Sequence, residues 1–419
     1  MTRHFDILIV GGGASGMMAA ISARRHGAGS AAIVEKLDRV GKKILVTGNG
    51  HCNLSNQNFS LDAYHGTFGG FPESVFEQFS LEETLDFFAS IGLVTAADPS
   101  GRLFPRSGQA SSVLDLLRLE LARLGIEEIV SNGVALLEKN RNRFELTTKP
   151  GNIVTCDAVI LATGGKAAPQ FGCDGSGYAL AEKFGHTVIS PFPAIVQLLS
   201  DASYLKQLKG VRCDVHLSLV SDDQILHEEK GELLFTDYGL SGIPALQMAR
   251  LVFPWIRDRK PVHVRINLFP EINEKAVIPY LKNHFSHIPQ KSVSDALIGL
   301  LHKRLIPVLL KQSGMDQEKI IGEMAETDIE SLARILTGWP VEIRGTKSWR
   351  DAHVTAGGVN TNEIDPESLE SKKTSGLFFA GEILDVDGDC GGYNLQWAWS
   401  SGWMAGLHAA EFVKKAKKP

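Results

Sequence analysis

Gly11, Gly13 and Gly16 are spaced as GxGxxG, and an acid, Glu35, follows about twenty residues later. The glycines come directly after a short apolar run, residues 5–10, rich in Ile, Leu and Val, which reads as a buried parallel strand. The chemistry of this spacing is recognition of a dinucleotide diphosphate. Gly11 allows a tight turn, Gly13 lets the backbone approach the pyrophosphate, and Gly16 lets a following helix lie close to the sheet. The diphosphate meets unpaired N–H groups and the positive end of the helix dipole. At the end of a second strand, residues 31–34, Glu35 is placed to accept hydrogen bonds from a ribose 2′-hydroxyl, and its charge disfavours a 2′-phosphate there. A glycine-rich turn without a ligand would need none of this surrounding pattern.

Other stretches carry chemistry of the same kind. Residues 41–53, GKKILVTGNGHCN, bring Lys42 and Lys43 together with Gly48 and Gly50, and read as a loop folded over the same dinucleotide. Residues 157–165, DAVILATGG, are another buried strand running into paired glycines, and residues 376–382, GLFFAGE, end in glycine and an acid. Gly391 and Gly392 precede a helix expected over residues 394–413. Its first N–H groups are suited to an electron-rich ring edge, where the dipole favours the negative charge of a reduced flavin. Trp397, Trp399 and Trp403 follow helical spacing and read as core packing.

The elements that must position these residues form two patterns. Helices are expected at 81–91 and 111–125, and short β segments over 129–155. The composition changes near Pro191. Residues 211–235 read as strands with turns at 221–223 and near Gly231, residues 233–246 as a loop-rich break, and residues 274–336 as several helices. The expected fold is α/β. A dinucleotide-binding Rossmann domain is built from residues 1–190 and 345–419, and 191–344 form an inserted cap region, β-rich over about 191–270 and helical over about 271–337.

The motifs VGGGASGMMAA, GKKILVTGNGHCN, ILATGG, LLFTDYGLSG, VTAGGV and ESKKTSGLFFAGEILDVDGDCGGYNLQWAWSSG occur in one order along nearly the whole chain. In these the sequence resembles the BaiN-like (YhiN-like) flavoproteins. The resemblance implies an FAD-binding domain of the glutathione-reductase type. Gly11, Gly13, Ala14, Ser15 and Gly16 would bind the FAD pyrophosphate, with Glu35 and Lys36 bracketing the adenosine ribose. Lys43, Thr47, Gly48 and Asn53 would line the flavin side, and Val134 would touch the adenine through its backbone. Ala162, Thr163, Gly164 and Gly165 would close over the dinucleotide, with Gly381 and Glu382 at the ribityl chain. Asn394, Leu395 and Gln396 would meet the pyrimidine edge. His51 stands where the family often has Arg, and Lys166, Ala167, Ala168 and Pro169 where it commonly has a Ser-Tyr-Pro stretch.

The family implies flavin-mediated hydride transfer, namely reduction of a conjugated carbonyl compound with reduced nicotinamide as a transient donor. Oxidation of an amine with release of peroxide, or a non-catalytic redox-sensing role, are the alternatives. No second GxGxxG marks a separate NAD(P)H domain. In the inserted region, Asp237 and Tyr238 are a carboxylate and a phenol able to orient or protonate a substrate. Tyr393 adds a second phenol beside the expected flavin edge. The competing reading is that Asp237 caps a turn and the tyrosines pack in the core.

Bulk properties narrow the partners. A net charge of -5 gives no support for nucleic acid, and the lysines at 414, 415, 417 and 418 read as a solvated tail. Neither a metal-ligand cluster nor a Ser–His–Asp arrangement is visible. Five dispersed cysteines without CxxC suggest a reducing compartment, with Cys52 and Cys390 as unpaired thiols. No apolar run reaches membrane-spanning length, and a strand starting by Phe5 leaves no room for a leader peptide. The expectation is a cytoplasmic enzyme acting on a small molecule, of undefined oligomeric state.

Overall fold

In the computed structural model, which describes residues 3–417, the chain divides into two compact units. The first holds residues up to Pro193 and resumes at His353, and the second is Ala194–Ala352. Strand Val188–Ala194, which lies in the first unit but for its last residue, pairs with Val354–Val359.

The first unit is built on a seven-stranded sheet. Strand β1 (Arg3–Val10) is flanked by β2 (Ala31–Val34), and β3 (Glu127–Ile129) lies beyond β2, all parallel. A β-hairpin, β4 (Val134–Asn140) and β5 (Arg143–Thr148), leads into the long strand β6 (Ile153–Leu161). β6 runs parallel to β1 and pairs with β5 through Ile153–Cys156. Along Val159–Leu161 it also pairs, in parallel, with the late strand β7 (Leu377–Phe379). The register aligns Val10 with both Val34 and Leu161, and Leu161 with Phe379. Four strands therefore end at one level, and the next residues are Gly11, Glu35, Ala162 and Ala380. The carboxyl edge of a parallel sheet is where such folds bind ligands.

Helix α1 (Ala14–Arg25) follows β1, and helix α2 (Tyr393–Lys417) closes the chain. They touch backbone to side: a Cβ on Gly402 would lie 2.5 Å from the Ser15 carbonyl oxygen, and one on Gly406 2.2 Å from that of Ala19. Trp397 and Trp399 are buried, and their indoles donate to the Gly381 and Leu54 carbonyls. Trp403 stacks on Phe79 with ring centroids 4.8 Å apart. α2 runs further than residues 394–413, taking Lys414, Lys415 and Lys417 into its last turns, where cations suit the dipole. Lys417 binds the Asp6 carboxylate at 2.6 Å, so it is no free tail, and Lys418 lies outside the described residues.

The second unit carries an antiparallel sheet ordered Trp339–Ile343, Val262–Asn267, Arg212–Ser221, Gln224–Phe235, Gly239–Ser241, Leu198–Leu199 and Gly345–Thr346. The turn expected at 221–223 is present, with Asp222 and Asp223 both at positive φ, as a tight hairpin requires. No turn occurs at Gly231, which lies inside a continuous strand opposite Val215. Its missing side chain leaves room for Pro244, whose Cγ would be 3.1 Å from a Cβ there. The stretch read as loop-rich becomes strand Gly239–Ser241 and helix Ile243–Arg257. Helices Glu274–Ser286, Val293–Leu297, Leu305–Gln312 and Glu326–Gly338 are an excursion from this one sheet, to which the chain returns at Trp339.

Candidate functional site

The glycine loop is shaped by its neighbours. Gly11 takes φ +104°, and a Cβ there would lie 2.5 Å from the Ala162 carbonyl oxygen. A Cβ on Gly16 would be 1.9 Å from the Gly11 carbonyl oxygen. Gly13 differs: a Cβ there would meet no atom within 4 Å. Gly13 is the N-cap of α1 in extended conformation, with no side-chain cap and no acid in the first turn. The N–H groups of α1 therefore face an open approach, which fits a diphosphate. Ser15 ties this turn to the end of β7 by donating to the Ala380 carbonyl at 3.3 Å.

Glu35 is buried and accepts from backbone on both oxygens, from Gly12 N–H and Leu37 N–H at 2.8 Å each. It thus holds the loop as well as the place expected for a ribose. Lys36 pairs with Asp174 at 2.6 Å. Burial opposes the Asp174 charge, but hydrogen bonds from Lys36 and Ser176 bring its carboxyl down to about 2. Val134 is half-buried at the start of β4, opposite Thr148.

At the paired glycines, Gly164 takes φ +70° and lies against Cys173, whose Sγ would be 2.9 Å from a Cβ there. Gly165 packs on Thr355, whose hydroxyl accepts from Lys166 N–H and Ala167 N–H at 2.8 and 2.9 Å. Thr163 donates to the Gly164 carbonyl at 3.3 Å. Glu382 ties this region together: it accepts from Thr355 N–H at 2.7 Å and binds the Lys43 ammonium at 2.9 Å. Burial works against the Lys43 charge, but Cys173 and Glu382 outweigh it and hold the ammonium protonated well above its usual range. Gly381, at φ +78°, packs on the Ser15 side chain.

At the expected flavin end, Thr47 donates to the Ile44 carbonyl at 2.7 Å, and Gly48 turns at φ +54°. The Asn53 Oδ1 atom is buried without a hydrogen-bond partner. Asn394 is committed to its own loop, accepting from Gly388 N–H at 2.9 Å and donating to the Gly388 carbonyl at 2.6 Å. Leu395 packs half-buried on the core. Gln396 is a correction. Its carboxamide is fully buried, accepts from Ser55 at 2.7 Å, and donates to Thr84 and Ser400 at 2.8 and 2.9 Å. Its N–H donates to the Gly392 carbonyl, so no part of it is left for a ring edge. The first-turn N–H groups of Tyr393, Asn394 and Leu395 precede that bond and have no intrahelical acceptor.

Tyr393 donates to the Asn58 carbonyl at 2.9 Å and meets Tyr64 edge-on. Burial and the nearby Asp389 charge push its phenol up. Asp237 and Tyr238 fall in the second unit, while every residue assigned to the cofactor falls in the first. Asp237 binds Lys209 at 2.7 Å, and that hydrogen bond keeps its carboxyl below the usual range. Lys347 sits 4.3 Å over the Tyr238 ring. None of the five cysteines is in a disulfide, and burial pushes the Cys52 thiol up to about 12, which makes it inert. His51 contacts the Gly108 carbonyl at 2.6 Å.

Cys173, Thr355, Tyr178 and His353 escaped the sequence reading. The Tyr178 hydroxyl is buried without a partner, and after burial itself the charges of Glu382, Cys173 and Asp385 drive its pKa up. Desolvation of the His353 ring, then the nearby Lys43 charge, lowers its pKa. VTAGGV, residues 354–359, was the only signal for Thr355, and it marks a strand rather than a role; His353 stands just before it.

Among the described residues, no helix is long and apolar enough to cross a membrane. Fold and site together define an FAD-binding Rossmann oxidoreductase. The chain belongs to the family described as HI0933-like protein Rossmann domain, whose model matches residues 5–408. It is 41% identical to a 3-dehydro-bile acid delta(4,6)-reductase of Clostridium scindens, over 96% of this chain and 98% of that one. It is also 31% identical to a ribosomal RNA dihydrouridine synthase of Escherichia coli, over 96% and 97%. A Haemophilus influenzae protein of the same description is 30% identical over 97% and 99%. Among solved structures, the 3-ketosteroid delta1-dehydrogenase of Sterolibacterium denitrificans superposes with a TM-score of 0.50 at 14% identity, covering 98% of this chain and all of that one, and shows the fold alone.

Proposed function

We propose that the enzyme reduces a carbon–carbon double bond conjugated to a carbonyl in a small apolar substrate, with reduced nicotinamide as the electron donor. One observation carries the reading: the end-to-end similarity to relatives whose names describe one kind of step. A 3-oxo-4,6-diene loses a conjugated double bond in one. In the others, dihydrouridine is uridine with two hydrogens added beside a carbonyl. None of these relatives is named for amine oxidation or sensing.

FAD would supply the hydride when bound. The α1 N-terminus would hold its diphosphate, Glu382 and Lys43 its middle, and the α2 N-terminus its ring edge. Asp237, kept ionised by Lys209, has no proton to give at neutral pH. Tyr393 and the neutral imidazole of His353, in the same unit as the cofactor residues, are the better candidates to hold the carbonyl or return a proton. Cysteines held as thiols rather than disulfides fit a cytoplasmic setting.

RNA is the second reading, favoured by the two synthases. Against it, the chain carries 48 acidic and 43 basic residues, a poor balance for a polyphosphate partner. The test is anaerobic incubation of the FAD-loaded enzyme and NADH or NADPH with a 3-oxo-4-ene steroid or an unmodified ribosomal RNA transcript. A steroid product two mass units heavier supports the proposal, whereas dihydrouridine in the transcript and an unchanged steroid overturn it.

A further inference from the structure

We propose that His353 holds the carbonyl oxygen of the substrate, its imidazole N–H donating to that oxygen while hydride reaches the conjugated double bond. The inference rests on the enone reading and decides between its two candidate donors. Among the described residues the His353 imidazole makes no hydrogen bond, ion pair or ring contact. The other described histidines of the first unit are all tied. His4 contacts Thr155, His26 the Ser22 carbonyl, His51 the Gly108 carbonyl, His65 Asp389, His186 Ser371 and His408 Glu411. His353 is the ring that this unit leaves uncommitted, with both nitrogens open to a ligand.

Its place in the fold is nevertheless fixed. His353 directly precedes strand Val354–Val359, every residue of which is buried. Two residues on, the Thr355 N–H donates to one oxygen of Glu382 at 2.7 Å, and the Thr355 hydroxyl accepts from Lys166 N–H and Ala167 N–H. The other oxygen of Glu382 binds the Lys43 ammonium at 2.9 Å. One carboxylate thus ties the entrance of the strand to Lys43, and His353 stands beside the pair assigned to the middle of FAD. The residue is exposed, yet its neighbours desolvate the ring, and this together with the Lys43 charge favours the neutral imidazole.

The reduction needs a donor at this oxygen. As hydride adds to the β carbon, the electron pair of the double bond shifts and leaves negative charge on the carbonyl oxygen. The α carbon then takes a proton from solvent, so the substrate gains two hydrogens and the reductant gives up one hydride. An N–H placed on the oxygen stabilises the charge as it develops, and the ammonium of Lys43 adds to the effect. A neutral imidazole does this by hydrogen bonding and keeps its own proton. Tyr393 is less free for the task, because its hydroxyl already donates to the Asn58 carbonyl.

The test compares two probes on the FAD-loaded oxidised enzyme, a 3-oxo-4-ene steroid and its 3-deoxy counterpart, with binding read from the change in flavin absorbance. The wild type should bind the ketone about tenfold or more tightly than the deoxy compound. In His353→Ala that preference should shrink to about twofold, the pattern of a coupled pair, with FAD content and melting temperature near those of the wild type. His353→Gln keeps an N–H donor and should restore most of the preference. Turnover of the ketone should fall about a hundredfold in His353→Ala, as when one donor to a developing oxyanion is removed. Isotope-edited infrared spectroscopy gives a readout that needs no variant: the carbonyl stretch of the bound ketone should move to lower frequency than in solution. An unshifted stretch in the wild type overturns the proposal, as does a ketone preference that survives His353→Ala. If the wild type binds neither steroid, the enone reading falls and this assignment falls with it.

Discussion

Gly13 is the residue on which the cofactor assignment is most sharply testable. The motif's other glycines are held by the protein: Gly11 by its positive φ and the Ala162 carbonyl, Gly16 by the Gly11 carbonyl. Gly13 has an ordinary φ of −78° and nothing near the place of a Cβ. Gly13→Val should therefore fold with a near-wild-type apoprotein melting temperature while losing FAD, because the branched side chain fills the diphosphate approach. Stoichiometric FAD in the purified variant would refute this. Glu35 shows what spacing alone could not convey. The spacing announced an acid for a ribose, but the carboxylate also receives two backbone N–H groups, and that depends on how the loop after Glu35 turns back. Glu35→Ala should lower apoprotein stability by about 1–3 kcal/mol as well as weaken FAD. An apoprotein of unchanged stability would confine Glu35 to the ribose. Gln396 was misread for a related reason: helix position was legible, but the direction of its side chain follows from Ser55, Thr84 and Ser400, which arrive from distant segments.

At the scale of elements, α2 is positioned by absent side chains. Gly402 and Gly406 are one turn apart and face Ser15 and Ala19 of α1, so the two helices approach to backbone contact. Gly406→Val would set a branched side chain against the Ala19 carbonyl and should cost about 1–3 kcal/mol or more, as overpacking does. A thermal melt with unchanged midpoint would show that the helices separate freely. This contact also carries the α2 N-terminus to its place, so the variant should lose FAD affinity together with stability. The helix itself was visible from its tryptophan spacing, and the strands β1, β2 and β6 from their apolar runs. What was not visible is instructive. Gly239, Gly242 and Pro244 look like loop residues in sequence, yet Pro244 lies in the first turn of helix Ile243–Arg257, where its missing N–H costs nothing. Gly231 looks like a turn, yet it serves a continuous strand by making room for that same proline. In both cases the deciding contact is made across the fold, where local pattern has no view.

At the scale of the whole molecule, the ends of the chain build one unit and the middle builds another. The strand ends at Val10, Val34, Leu161 and Phe379 collect residues far apart in sequence onto one edge, and every cofactor assignment falls in that unit. The division of labour has a measurable consequence. A ligand that binds only the folded form stabilises what it binds by RT ln(1 + [L]/Kd), about 2.7 kcal/mol at a hundredfold excess over Kd. Adding FAD to apoprotein should therefore slow amide exchange in β1 and β6 by up to about a hundredfold. The slowing should extend to the glycine loop, to residues 44–53 and to the first turn of α2. The hairpin of Arg212–Ser221 and Gln224–Phe235 has its own sheet and core, and should keep its exchange rates. Exchange that slows equally across both units would mean that FAD binding and the folding of the second unit are one event, and the assignment of the cofactor to the first unit alone would have to be given up.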